Sequence, residues 1–296
     1  MAAGHRQACP GTRTTAISNR RHTIHLKRRW IIYLILVGYA AFSLLPLAVL
    51  VADSFREYPD IARRGWIALP VSVSLDPFVA AWTQFCVSGG CHGIQANFYN
   101  SLAIAVPPTL FATALGALNG YVLTKWRFPG SELVFGAMVV GVFMPPQTTL
   151  LPWAFVLGAL HLYDSIPGLV LIHCVQGLAF TTLFCRNYFI GIPDEIIRAA
   201  RVDGAGFWRI FWKLVLPMSA PILVVSVIWK FTGIWNEFLY GVVFTAGDQQ
   251  PITAALRSGP GSQSAATLIA ALPPLLVYLV GGRYFAQGLT RSAFRG

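Results

Sequence analysis

Ile192-Pro-Asp-Glu-Ile-Ile-Arg-Ala-Ala-Arg-Val-Asp-Gly-Ala-Gly-Phe-Trp-Arg-Ile-Phe-Trp-Lys-Leu-Val-Leu-Pro217 is a polar, basic interruption between two long apolar runs. Pro193 suits a first helical position, and Asp194 and Glu195 place negative charge on the positive end of a helix dipole. Gly204 and Gly206 end that helix and free the chain to turn. A second helix over 207–216 sets Phe207, Ile210, Phe211 and Leu214 on one side and Arg209 and Lys213 on another, until Pro217 stops it. Ala199 and Ala200 leave little bulk, so another protein can approach the first helix closely. The stretch reads as a docking surface for a cytoplasmic partner. The bland alternative is a pair of amphipathic helices lying on lipid headgroups.

The flanking sequence says what is being interrupted. The chain has 296 residues, 55% hydrophobic and 11% charged, whereas about a quarter of the residues of a soluble globule carry charge. It is expected to be an all-α integral membrane protein. Six runs, 30–52, 101–124, 133–155, 166–188, 220–244 and 265–285, can cross a hydrocarbon core, which takes about 20 apolar helical residues. The first run exceeds the apolar core of about 7–15 residues in a secretory signal and is read as a retained anchor. Residues 1–29 form a basic tail expected to lack regular structure, and 30–296 form the membrane domain, with an external loop over 53–100 and the docking loop over 189–217. With the amino terminus inside, 17 Lys and Arg face the cytoplasm and 4 face out, so both termini are expected to be cytoplasmic. The net charge of +11 is then explained by orientation and anionic lipid, without nucleic acid.

In the external loop, Trp66, Trp82, Phe85 and Phe98 are packing material capping the helix ends. Cys86 and Cys91 share this loop and read either as a disulfide or as two free thiols; His92 alone adds too few ligands for a metal. Gly116 and Gly120 form a small-xxx-small pattern for close helix approach. The pairs Pro107-Pro108, Pro145-Pro146 and Pro273-Pro274 each fall inside an apolar run and predict bends. Pro145-Pro-Gln-Thr-Thr149, with Gln147 as its pathway residue, becomes a candidate segment, because broken helices build polar pockets in transporters. Lys230 and Glu237 lie seven apart in the fifth run, on nearly one helical face, and an ionisable residue in a span is a functional candidate. Trp235 offers a flat face to a sugar, and Asn236 and Glu237 offer hydrogen bonds to hydroxyls. The competing reading is that these groups lock the helix to a neighbouring subunit.

Ala199-Ala200, Asp203-Gly204 and the closing Leu216-Pro217 resemble the "EAA" loop of permease subunits of binding-protein-dependent ATP-binding-cassette importers. Glu195, Arg198, Ala199, Ala200, Asp203, Gly204 and Ala205 are the ATPase-coupling residues this implies. The acid that opens the family motif falls on Arg198, a charge reversal, so its ion pair with the ATPase does not carry over; Glu195, one turn earlier, is placed to pair with Arg198. The resemblance extends from about residue 30 onward and is to carbohydrate permeases of the maltose type, most of all to a glucose/mannose branch, through Cys91-His-Gly-Ile94, Gly116-Ala-Leu-Asn-Gly-Tyr121, Lys125-Trp-Arg-Phe128, Phe184-Cys-Arg-Asn-Tyr188, Ile234-Trp-Asn-Glu-Phe238 and Gly288-Leu-Thr290.

It implies a type I importer permease fold with six transmembrane helices and coupling helices between spans four and five. It also implies a second homologous permease subunit, an ATPase dimer holding ATP and Mg, a periplasmic or lipid-anchored solute-binding protein, a bacterial or archaeal inner membrane, and a monosaccharide such as glucose or mannose as substrate. A disaccharide or other polyol is the alternative. No cofactor is expected in this chain, and it is not expected to be an enzyme: none of its four lysines follows a glycine, so a phosphate-binding Gly-Lys-Ser/Thr loop is absent. A proton-coupled carrier using Glu237 or Asp164 is a rival of another class. A membrane enzyme built on His161, His173, Ser165 and Asp164 lacks any nucleophile or metal spacing.

Overall fold

The computed structural model describes residues 14–293, apart from 66–67, 69, 71–72, 88–89 and 259–262. Every regular element among them is helical: α1 (Thr14–Ser54), α2 (Tyr58–Arg64), α3 (Asp76–Gln84), α4 (Gln95–Lys125), α5 (Ser131–Phe143), α6 (Pro146–Ala159), α7 (Ile166–Ile190), α8 (Asp194–Val202), α9 (Phe207–Ile210), a π-helical turn (Phe211–Val215), α10 (Leu216–Met218), α11 (Ala220–Trp235), α12 (Leu239–Phe244), α13 (Ile252–Ala255) and α14 (Gln263–Ala293), with two short 3-10 turns around α13. Four helices are long and apolar enough to cross a membrane, and two bent helix pairs bring the number to six. The apolar window of α1 is exposed throughout, a surface stable only in lipid or against another subunit.

Several expectations are corrected. The tail from 14 to 29 is helical, the start of α1; extending an existing helix costs far less than nucleating one. Residues 1–13 lie outside the described residues, as does Trp66. The third apolar run is not one continuous helix but the pair α5 and α6, bent by 105° at Met144 and Pro145. Pro145 sits in extended backbone (φ −59°, ψ 135°), as a residue preceding proline prefers. The other two pairs, and Pro46, stay inside continuous helices, where neighbouring helices and side chains can satisfy the freed groups. The fifth run ends as a helix at Trp235 and resumes at Leu239. Pro217 does not stop the second docking helix, which runs on through the π turn to Met218.

The bundle is organised by α4 against α7, its most extensive contact. A Cβ on Gly116 would stand 2.7 Å from Thr181, and one on Gly120 2.8 Å from the Arg186 nitrogen and the Cys185 Cβ. The small-residue pattern therefore allows the close approach. α11 packs on α14 and α4, and α1 on α14. At the end opposite α8, Cys86 and Cys91 form a disulfide, and Trp82, Phe98 and Trp235 make an edge-on aromatic chain. Asn97 donates to the Gln250 carbonyl (2.8 Å), Asn100 to the Asp248 carbonyl (2.6 Å), and Ser101 Oγ accepts from the Ile252 nitrogen (2.8 Å). The start of α4 thereby fixes the loop between α12 and α14.

Candidate coupling surface and membrane-embedded polar cluster

α8 has the charge distribution its sequence predicts, with Asp194 and Glu195 in its first turn and Arg201 in its last. It closes in a Schellman motif: Ala205 N–H donates to the Ala200 carbonyl (2.9 Å) and Gly204 N–H to that of Arg201 (3.0 Å), with Gly204 at φ +76°. One face is inward. Ile197 and Ala200 are buried with Tyr121, Phe189, Ile210 and Phe211, so Ala200 belongs to the chain's own packing and not to an open surface. The outward stripe consists of Glu195, Arg198, Ala199 and Val202, with Asp203 and Gly204 also exposed. Glu195 and Arg198 form the anticipated ion pair at 2.8 Å, both largely exposed. Val202 is 88% exposed; its position one turn beyond Arg198 marks the stripe, although the sequence reading passed over it.

This loop is fastened to the ends of the spanning helices. Lys125, the last residue of α4, donates through Nζ to the Ile192 carbonyl and to Asp194 Oδ1, both at 2.6 Å. That bond holds the Asp194 carboxyl below its ordinary range. Arg201 donates to the Lys125 carbonyl (3.0 Å) and lies over the Trp126 ring at 4.1 Å. Tyr121 is fully buried between Phe207 and Phe211 and accepts from Trp126 Nε1. Arg186 of α7 pairs with Glu132 of α5 at 2.9 Å. α8 is thus joined to the end of α4 by side-chain contacts.

The expected pathway residues are dispersed. Trp235 has no free face: it is 2% exposed, stacked on Phe231, edge-on to Phe98, and its Nε1 donates to the Ala270 carbonyl (2.9 Å). Glu237 caps α12 by accepting from the Tyr240 nitrogen (2.9 Å) and that of Gly241 (3.3 Å), which answers the orphan donors of a helix start. Lys230 lies against α7 beside Gly177, with its ammonium 5.9 Å from the Phe180 ring. It and Glu237 do not meet. Asn236 and Gln147 are exposed. Asp164 accepts from the Ala246 nitrogen (2.8 Å) and Ser165 caps α7, so both hold loops in place.

A different constellation forms where α5 and α6 break. Tyr240 Oη bonds Thr149 Oγ1 (2.7 Å), accepts from Gln176 Nε2 and donates to the Pro146 carbonyl (3.4 Å), with the His173 ring edge-on at 6.1 Å. Thr149 closes the segment 145–149 marked from sequence as a candidate, whereas Gln176 and Tyr240 were not singled out. Gln176 was open to the reasoning applied to Glu237, since it is polar in an apolar span, whereas Tyr240 looked like one more aromatic. Tyr240 is itself 1% exposed, so the half-buried Thr149 and Gln176 are the groups at this break that can exchange hydrogen bonds with a polyhydroxylated solute. Among the described residues no group of His, Cys, Asp and Glu could hold a metal.

The family described as binding-protein-dependent transport system inner membrane component matches residues 98–291. A Pyrococcus horikoshii protein named "Probable ABC transporter permease protein" is 34% identical over 276 residues, covering 90% of this chain and 98% of that one. The diacetylchitobiose uptake system permease protein of Streptomyces coelicolor is 29% identical over 293 residues, covering 96% of this chain and 92% of its own. A bacterial ABC transporter involved in alginate import superposes with a TM-score of 0.69 at 19% identity, over 88% of this chain and 97% of that chain, a likeness of fold.

Proposed function

Because this chain belongs to the family of binding-protein-dependent transport system inner membrane components, we propose that it is a permease subunit of an ATP-driven sugar importer. In this reading it forms half of a translocation pore with a second permease subunit. A solute-binding protein docks at the disulfide end and an ATPase dimer, holding ATP and Mg, at the α8 end. The α8 end then faces the cytoplasm of a bacterial or archaeal cell, a reading supported by the distribution of Lys and Arg. The observation that carries the proposal is the outward stripe of α8 fastened by Lys125, Arg201 and Tyr121 to α4.

A partner that binds the stripe and changes shape on nucleotide turnover pulls on α4 directly, and through the Gly116–Gly120 contact on α7. Such a ligand shifts the bundle between two arrangements by its differential affinity for them. Thr149 and Gln176 lie at the helix break and serve as hydrogen-bonding groups along the pathway, held in place by the buried Tyr240 hydroxyl. We take the solute to be a monosaccharide of the glucose or mannose class, on the framework resemblance of residues 91–94, 116–121 and 234–238; the diacetylchitobiose relative makes an oligosaccharide the main competitor.

Reconstitution of the chain with its partner permease, ATPase and binding protein tests both levels. Uptake of labelled glucose or mannose that needs ATP and the ATPase is the expected result. Uptake that persists without the ATPase and follows a proton gradient would overturn the coupling; ATP-driven uptake of a disaccharide alone would overturn only the solute.

A further inference from the structure

The docking loop has two helical parts, and they present different surfaces. The segment Phe207–Met218 meets α11 at 75°, with Ser219 as the only residue between them. A transmembrane helix tilts by about 20° on average, so a segment at this angle to one runs close to the membrane plane, at headgroup depth. Its inner face is packed away: Ile210, Phe211 and Val215 are buried against α4 and α8. Its outer face carries Trp208 and Trp212, 57% and 58% exposed and one turn apart. Beside them run Arg209 and Lys213, exposed and without a hydrogen bond or ion pair among the described residues.

We propose that Trp208, Arg209, Trp212 and Lys213 form an interfacial anchor that holds this helix on anionic phospholipid headgroups, while α8 alone enters the ATPase. Indole rings favour the boundary between headgroup and hydrocarbon, and each basic side chain near an anionic leaflet adds attraction. The two surfaces differ in charge as this division requires. On α8 the exposed Arg198 is neutralised by Glu195, leaving Ala199 and Val202 for protein contact, whereas Arg209 and Lys213 have no counter-ion among the described residues. The anchor supplies a fulcrum: with Phe207–Met218 held at the surface, displacement of α8 is directed into α4. The assignment rests on the membrane orientation proposed above and is independent of the solute.

The test uses the assembled transporter in nanodiscs of phosphatidylcholine, with or without phosphatidylglycerol. Photoreactive benzoylphenylalanine replaces Trp212 or, separately, Trp208, and Ala199 in a third variant. Positions 208 and 212 are expected to yield lipid adducts, with phosphatidylglycerol favoured over its share of the mixture, and position 199 to yield ATPase adducts. Arg209→Gln with Lys213→Gln should abolish the phosphatidylglycerol preference. Adducts from 208 and 212 mainly to the ATPase, or a lipid preference unchanged by the double substitution, would overturn the anchor. Loss of ATPase adducts from 199 alone would instead sink the coupling role of α8 and leave the anchor standing.

Discussion

Lys125 Nζ and Asp194 Oδ1 lie 2.6 Å apart and join the last residue of α4 to the first of α8. The lysine is nearly buried and the aspartate 68% exposed, so the two partners are unequal. Asp194→Asn weakens a solvent-screened pair and is expected to cost less than about 1 kcal/mol of stability. Lys125→Met also strips the donor from the Ile192 carbonyl, and an orphaned buried acceptor costs about 1–3 kcal/mol. Thermal unfolding of the purified complex in detergent distinguishes them, with Lys125→Met the lower of the two.

The same pair sets a pH dependence. The folded Asp194 carboxyl is held below its ordinary value by Lys125. Its contribution is therefore fully present above the unfolded carboxylate pKa and is lost as pH falls through the folded value. Melting temperature should be flat with respect to this group near neutrality and decline in acid, with the Asp194→Asn variant losing less there than the parent. A parallel decline in both would assign the acid sensitivity elsewhere.

Gly116 and Gly120 face backbone and short side chains of α7 with no room for a methyl group. Either residue changed to Val forces α4 from α7 and is expected to destabilise by about 1–3 kcal/mol or more. Gly136→Ala, on α5 with open space around it, is the control and should leave yield and melting unchanged.

Gly204 also has open space around it, yet its φ of +76° is strained for any β-branched residue. Gly204→Val is expected to cost about 1–2 kcal/mol locally and to loosen α8 without unfolding the bundle. The readout is ATPase co-purification, which should fall while the melting temperature changes little. A fully retained ATPase would count against α8 as the docking element.

How much of this was readable beforehand depends on the range of the forces involved. The Schellman closure at Asp203-Gly204 follows from local backbone chemistry, and the six apolar runs follow from hydropathy. Which of Ala199 and Ala200 faces outward is decided by Tyr121 and Phe189, which lie far away in sequence. Three proline pairs look alike, yet only Pro145 breaks a helix, because tertiary neighbours settle whether the freed backbone groups are satisfied. Trp235 was open to two readings, and contacts with Phe98 and Ala270, from other helices, place it in the packing.

That placement makes Trp235→Ala a stability variant. Removing a buried indole is expected to cost about 3–5 kcal/mol, and Trp235→Phe less, since it keeps the ring contacts and loses the bond to Ala270. Protein yield and melting temperature should track the substitution whether or not sugar is present. A well-folded Trp235→Ala complex with a selective rise in the KM for uptake would restore the residue to the pathway.

Tyr240→Phe separates packing from polar function at the helix break. The ring keeps its stacking on Phe244 (6.0 Å), and only the hydroxyl that bonds Thr149 and Gln176 is lost. Thr149 keeps its bond to the Pro146 carbonyl, so the loss falls on the Gln176 amide, and an unsatisfied group there costs about 1–3 kcal/mol. If the hydroxyl network changes between the two transport states, that difference appears in the barrier, where about 1.4 kcal/mol is tenfold in rate. Sugar-stimulated ATP turnover and uptake are therefore expected to fall about tenfold, with basal ATP turnover intact because α8 is untouched. Gln176→Leu removes the amide from the same network and should reproduce the effect, and the double variant should fall little further, since both changes disable one network. Full transport in Tyr240→Phe, or strictly additive losses in the pair, would reduce the cluster to a packing feature of the bend between α5 and α6.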